Sequence, residues 1–166
     1  MDSGTVKTIF DYHYGMFESV WASAAQLTDA QFVEDKGYSL GSVRNHLVHC
    51  MNVDDRWLAR LQETTLPDIL DEATFPDTAS IRPEWDAVRE RVLAYVTGLT
   101  PAELEASVSV AIPGRYSEPQ RCRRREVLLH MVNHGTDHRA QILTRLHELG
   151  APTLEQDLML YLWEND

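Results

Sequence analysis

Two histidines spaced four residues apart, His134 and His138, are the side chains of this chain best suited to chemistry. They lie in a helical stretch, and residues four apart on an α-helix have Cβ atoms about 5–6 Å apart, so two imidazoles can share one divalent cation. Both fall on the apolar face of their predicted helix, where an imidazole is costly unless a partner satisfies it. The pair predicts a metal site. The alternative is two core histidines bonded to carbonyls or carboxylates.

A third ligand is sought among the other histidines. His130 lies eight residues before His138, about 12 Å along a helix axis, which is too far for a shared ion with Zn–N bonds of about 2.0–2.1 Å. It is predicted to be a pocket residue near the ion. His13, His46 and His49 are the remaining candidates, and helical periodicity leaves the choice open, although it places His46 nearer the apolar centre than His49.

Three side chains are candidates for acid–base catalysis, which requires a group within hydrogen-bond reach of the reacting atoms. Asp54 falls on the apolar face of the second predicted helix. The alternative for Asp54 is a buried carboxylate paired with an arginine or histidine, which would orient an imidazole. Asp137 is adjacent to His138 but turned away from it on the helical wheel, and His130 lies one turn before His134.

One basic cluster interrupts an otherwise acidic chain and approaches the start of the last long helix. Within it, Arg124 and Arg125 are candidates for binding an anionic cofactor or a carboxylate-bearing substrate. The alternative is a solvated surface whose arginines pair with neighbouring acids. The cluster consists of Arg115, Arg121, Arg123, Arg124 and Arg125.

The elements that position these residues are predicted to be helices, because apolar residues recur at helical spacing nearly throughout. Ser42 is predicted to begin the second long helix, and the prolines of residues 64–83 predict a long connection. Residues 108–112 alternate weakly, which indicates a short strand or an irregular turn. We expect an all-α, antiparallel four-helix bundle with short extra helices, formed by residues 1–166 as one domain. The predicted helices cover 9–27, 42–61, 84–99, 121–149 and 153–164.

Composition narrows the classes of partner. The net charge of −11, from 26 acidic and 15 basic residues, argues against binding to nucleic acid or to anionic lipid. No apolar run reaches the roughly 18 residues of a membrane span, and the N-terminus lacks a secretory signal. Cys50 and Cys122 form no CxxC motif and are predicted to be reduced thiols. A cytoplasmic protein acting on a small molecule is expected.

Two segments resemble motifs of the DinB/YfiT-like family, which is distinct from the translesion polymerase that shares the name. They are Ser42–His49 with the following Trp57-Leu58, and Leu129–Ile142. The second motif usually ends HHRGQ, whereas this chain has Asp137 and Ala140. The resemblance covers nearly the whole chain.

The resemblance implies a four-helix bundle that commonly forms homodimers and holds a metal ion between its helices. It implies that His49, rather than His46, completes the triad with His134 and His138. Asp137 stands where the motif has a histidine that is not a ligand, which affects the polarity of the pocket rather than the triad.

Three neutral imidazoles would leave an open coordination position, the arrangement typical of catalytic metal sites. Zn²⁺ and Ni²⁺ suit imidazole best, and Fe²⁺ or Mn²⁺ are further candidates. The resemblance implies a metal-dependent transferase or isomerase that uses a low-molecular-weight thiol. The alternatives are a metal-dependent hydrolase and a non-catalytic, stress-related dimer that binds a metal or ligand.

Overall fold

A computed structural model describes residues 2–112 and 114–165. This part of the chain is mainly helical, with seven α-helices, one short 3₁₀ helix and one two-stranded sheet. No helix in it is long and apolar enough to cross a bilayer. In chain order the elements are α1 (Ser3–Ala24), α2 (Asp29–Val33), α3 (Val43–Leu61), the 3₁₀ helix (Glu72–Thr74), α4 (Thr78–Thr97), α5 (Pro101–Glu105), β1 (Ser107–Val110), β2 (Gln120–Arg123), α6 (Arg124–Glu148) and α7 (Leu158–Glu164).

Four long helices, α1, α3, α4 and α6, contribute most of the core. α6 packs against α1 and α3, and α4 packs against the same two helices. Their apolar faces are buried, and Phe17, Met51, Trp85 and Met131, one from each helix, are all at most 2% exposed. The mainly helical class predicted from the periodicity is therefore confirmed.

The start of α3 agrees with its sequence signal, whereas the start of α4 differs from the prediction. Ser42 begins α3 as predicted, with its Oγ accepting a hydrogen bond from the Asn45 amide at 3.1 Å. The helix predicted over 84–99 begins earlier, at Thr78, so the predicted connection over 64–83 is too long and Pro83 lies inside α4. Asp77 caps this earlier start, and burial of Ile81 extends the apolar face toward it. These gains offset the cost of proline in a helix.

One small sheet accompanies the helices, and its first strand overlaps residues 108–112, where the sequence indicated a short strand or an irregular turn. β1 and β2 form an antiparallel pair in which Val108 lies opposite Cys122, so the helix predicted from residue 121 begins only at Arg124. Val108 and Val110 are buried while Ser107 and Ser109 are exposed, an alternation of period two that favours a strand. The last helix is also shorter than predicted, because Asp157 caps it and α7 begins at Leu158.

Gly135 on α6 lies directly against the ring of His13 on α1. A Cβ atom at this position would lie 2.8 Å from Nδ1 of His13 and closer still to Cε1 of that ring. His13 is 1% exposed, so its ring has no free volume into which it can move. The absence of a side chain at residue 135 therefore permits the packing of α6 on α1.

Gly135→Ala is expected to destabilise the protein, although alanine is normally the better helix former. Overpacking costs about 1–3 kcal/mol, which exceeds the gain of about 0.5–1 kcal/mol from helix propensity. Urea unfolding should show a lower midpoint. Gly98→Ala is the control, because the nearest atoms to a Cβ there are 3.6 Å away. A Gly135→Ala variant as stable as the wild type would contradict this packing.

Candidate metal centre

The packing of α3 against α6 brings three histidines together. His49 projects from α3, and His134 and His138 project from successive turns of α6. One ring nitrogen from each lies within 4.8 Å of the others, and Nε2 of His49 is 3.1 Å from Nε2 of His134. Two nitrogens bound to a tetrahedral zinc ion are separated by about 3.3 Å, given Zn–N bonds of about 2.0–2.1 Å. The three-histidine cluster could therefore hold a divalent metal ion.

The electrostatics of the cluster keep its imidazoles neutral. Burial, followed by the neighbouring histidines His138 and His49, lowers the pKa of His134 to about 4. Burial is also the main cause of the lowered pKa of His49 and of His138. Near pH 7 the rings therefore have lone pairs available, and the neutral imidazole is the form that binds metal.

His46 lies beside this cluster and outside it. Its Nδ1 is 3.0 Å from Nδ1 of His138, and burial, reinforced by the two nearest histidines, lowers its pKa to about 4. Among the residues that the structure describes, no fourth His, Cys, Asp or Glu joins His49, His134 and His138 as a group able to hold an ion. The structure thus brings His46 to the edge of the centre.

The other open candidate, His13, belongs to a separate buried network. Asp54 accepts a hydrogen bond from the Tyr14 hydroxyl at 2.9 Å and lies 3.6 Å from Nε2 of His13. Burial, followed by the charge of Asp54, raises the pKa of Tyr14. The buried guanidinium of Arg139 lies on the other side of His13, 3.1 Å from its Nδ1. The alternative interpretation of Asp54, a buried carboxylate next to a histidine, matches this geometry, and a catalytic role for it stays a prediction.

The remaining catalytic candidates flank the cluster. His130 is exposed. Its ring lies edge-on to that of Trp57, and the two ring centroids are 4.9 Å apart. The centroid of the His130 ring is 6.0 Å from that of His134. Asp137 is exposed and accepts a hydrogen bond from the side-chain amide of Gln141 at 3.3 Å. Both are near the candidate ligands, and their participation in catalysis stays a prediction.

The basic cluster is engaged with nearby acidic residues and backbone. Arg123 and Arg125 both pair with Glu105, and Arg124 donates to the carbonyl of Glu103 at 2.9 Å. Arg125 precedes His134 by nine residues on α6, about 14 Å at the helical rise per residue. The structure therefore places this cluster away from the three histidines. Anion binding by Arg124 and Arg125 stays a prediction.

Two cavities lie close to the centre, one lined by His46 and the other by His49. One, of about 390 Å³, is lined by His46 together with Asp137, Gln141 and Arg145 of α6. The other, of about 430 Å³, is lined by His49, Arg56 and residues of the connection after α3. Sequence patterns did not identify the cavity-lining role of Arg145, because its charge predicts solvent exposure whereas the side chain is buried.

These features define the chain as a mainly helical protein with a three-histidine cluster between two of its long helices. It belongs to the DinB family, whose family model matches residues 2–166. A DinB-like protein from Bacillus cereus ATCC 10987, known from a crystal structure, is similar to it with a TM-score of 0.65 and 17% sequence identity. The similarity covers 88% of this chain and 94% of that protein, which indicates a shared fold. A comparison with curated proteins finds no match.

Proposed function

We propose that this protein binds one divalent metal ion through His49, His134 and His138 and uses it as a metal-dependent enzyme. The observation that carries the proposal is the convergence of three neutral imidazoles from α3 and α6, with ligand nitrogens within 4.8 Å of one another. Zn²⁺ and Ni²⁺ are the ions best suited to this donor set.

An open site supports catalysis more than a structural role. Three uncharged ligands leave the ion its full 2+ charge and a free coordination position, whereas structural zinc sites are closed by four protein ligands. When bound, the ion would act as a Lewis acid that lowers the pKa of a thiol or a water molecule. The two adjoining cavities would provide space for a small-molecule substrate.

The family resemblance directs the choice of reaction toward a transferase or isomerase that uses a low-molecular-weight thiol. In such a reaction His49, His134 and His138 would hold the ion, and the cavity walls would position the thiol and its acceptor. The pairwise packing of α1, α3, α4 and α6 supports an antiparallel four-helix bundle as the scaffold. We further propose that the bundle is a single domain that forms homodimers in the cytoplasm.

Thiol transfer is tested with zinc- or nickel-loaded protein, a panel of small thiols and the acceptor 1-chloro-2,4-dinitrobenzene. Carbon–sulfur bond formation releases chloride and the thiol proton, and mass spectrometry detects the thioether. We expect turnover above the uncatalysed rate that is lost in His134→Ala and retained in His147→Ala, whose side chain is exposed outside the cluster. If no thiol or acceptor reacts while chelation lowers Tm, the ion is structural and the enzymatic proposal fails.

A further inference from the structure

His46 lies between the three-histidine cluster and a cavity. Its Nδ1 is 3.0 Å from Nδ1 of His138, and its side chain also lines the cavity of about 390 Å³. The residue is only 4% exposed, and within residues 2–112 and 114–165 no hydrogen bond to its Nε2 is found. Nε2 of His46 is not among the fully buried, unpartnered atoms of the described residues, so this nitrogen is open to the cavity that His46 lines and accessible to a ligand there.

If His138 holds an ion, as proposed above, the ion determines which ring nitrogens of His138 and His46 carry a proton. A neutral imidazole carries a single N–H. With Nδ1 of His138 engaged by His46, Nε2 is the atom that can offer its lone pair to the ion, so the proton of His138 lies on Nδ1. Nδ1 of His46 then accepts the hydrogen bond that Nδ1–H of His138 donates. The single N–H of His46 is consequently at Nε2, where it is available as a donor.

The charges around this cavity are balanced. Lys36 and Arg145 contribute two cationic groups, and Asp137 and Glu148 contribute two carboxylates. Arg145 is 7% exposed and donates to Glu148 at 2.7 Å and to Glu34 at 3.0 Å, while its Nε has no partner in the described part of the chain. A wall with equal numbers of positive and negative groups suits a ligand that carries both charges better than a simple anion.

In the cavity on the His49 side, two of the polar side chains are already engaged with the backbone. The Asn52 amide donates to the carbonyl of Leu70 at 3.0 Å, and Arg56 donates to the carbonyl of Pro67. These polar groups already hold the connection after α3 against that helix. The open Nε2 of His46 favours the His46 cavity as the ligand site, and the cavity volume of about 390 Å³ lies at the small end of the roughly 300–1,000 Å³ typical of such sites.

We propose that the His46 cavity binds a small zwitterion of the amino-acid class, whose carboxylate accepts the hydrogen bond from Nε2 of His46 and whose ammonium group pairs with Asp137 or Glu148. The inference rests on the proposed metal binding, because the ion sets the tautomer of His138 and through it that of His46. Ligand and ion therefore favour the same tautomers, and each raises the affinity for the other.

The test is a titration of zinc-loaded protein with L-serine, followed by NMR of the histidine ring nitrogens. We expect protons on Nδ1 of His138 and Nε2 of His46, and a shift of the His46 Nε2 resonance as serine binds. Ethanolamine lacks the carboxylate and 3-hydroxypropanoate lacks the amine. Each loses one charge-assisted interaction and is expected to bind at least about tenfold more weakly. Serine should also bind more weakly to the metal-free protein.

Zinc content is measured first in every sample, so that failure of metal binding is seen separately. His46→Ala removes the reporting resonance, so serine binding to this variant is measured by calorimetry; it should be lost in His46→Ala and kept in His147→Ala. If zinc-loaded wild-type protein shows no serine shift, or carries the His46 proton on Nδ1, the cavity assignment is wrong. The metal-site proposal is unaffected by either result. Equal binding of 3-hydroxypropanoate overturns the zwitterion in favour of a simple anion. Wild-type protein that retains no zinc removes both proposals.

Discussion

Replacing any one of His49, His134 and His138 with alanine is expected to abolish binding of one equivalent of divalent ion. Each of these residues offers one of the three ligand nitrogens grouped within 4.8 Å. Loss of a residue that merely supports a metal ligand already costs about 10–100-fold in affinity, so loss of a ligand should raise the Kd for zinc by more than about 100-fold. Metal analysis after dialysis and competition with a chromogenic chelator measure this effect.

His46→Ala and His147→Ala are the matched controls. His46→Ala should keep a full equivalent of zinc with an affinity lowered by about tenfold, because only the hydrogen bond to His138 is lost, and His147→Ala should match the wild type. Thermal unfolding gives a second readout, since zinc at 100 times its Kd stabilises the folded state by about 2.7 kcal/mol. Full zinc retention by His49→Ala, together with loss in His46→Ala, would make His46 the third ligand.

The histidine site shows which ligands helical periodicity can predict and which it cannot. The spacing of His134 and His138 on one helix was sufficient to predict a shared site, because intrahelical distances follow from the sequence. The third member depends on how α3 is rotated against α6, and helical periodicity leaves the choice open among His13, His46 and His49. Only the family resemblance selected His49, and the structure groups His49 with the pair.

Elements governed by local periodicity and caps were predicted better than those governed by distant contacts. Ser42 marks the start of α3 because its side chain bonds within the next turn. The strand at 120–123 depends on pairing with 107–110, so its own arginine-rich sequence carries no strand signal. The cavity at His46 has the same origin, since residues such as Lys36 from a separate connection line it.

Arg139→Ala is expected to cause a large loss of stability. The guanidinium is fully buried and lies over the rings of Tyr12 and Phe17. Its nitrogens donate to the backbone carbonyl of His13 at 3.3 Å and to the Gln156 side chain at 3.0 Å. Truncation leaves a cavity and polar groups without partners, and removal of a large buried side chain costs about 3–5 kcal/mol.

The corresponding fall in Tm is about 6–20 °C, since 1 kcal/mol shifts Tm by about 2–4 °C in a chain of this length. Arg115→Ala removes an exposed arginine and should change stability by less than about 0.5 kcal/mol. Arg139→Lys tests the cause: it keeps the charge but lacks the planar fork that reaches His13 and Gln156 together, so it should restore only part of the loss. An Arg139→Ala variant with the Tm of the wild type would show that the network contributes no net stability. If Arg139→Lys were as unstable as Arg139→Ala, the hydrogen-bond geometry rather than the charge would account for the whole effect.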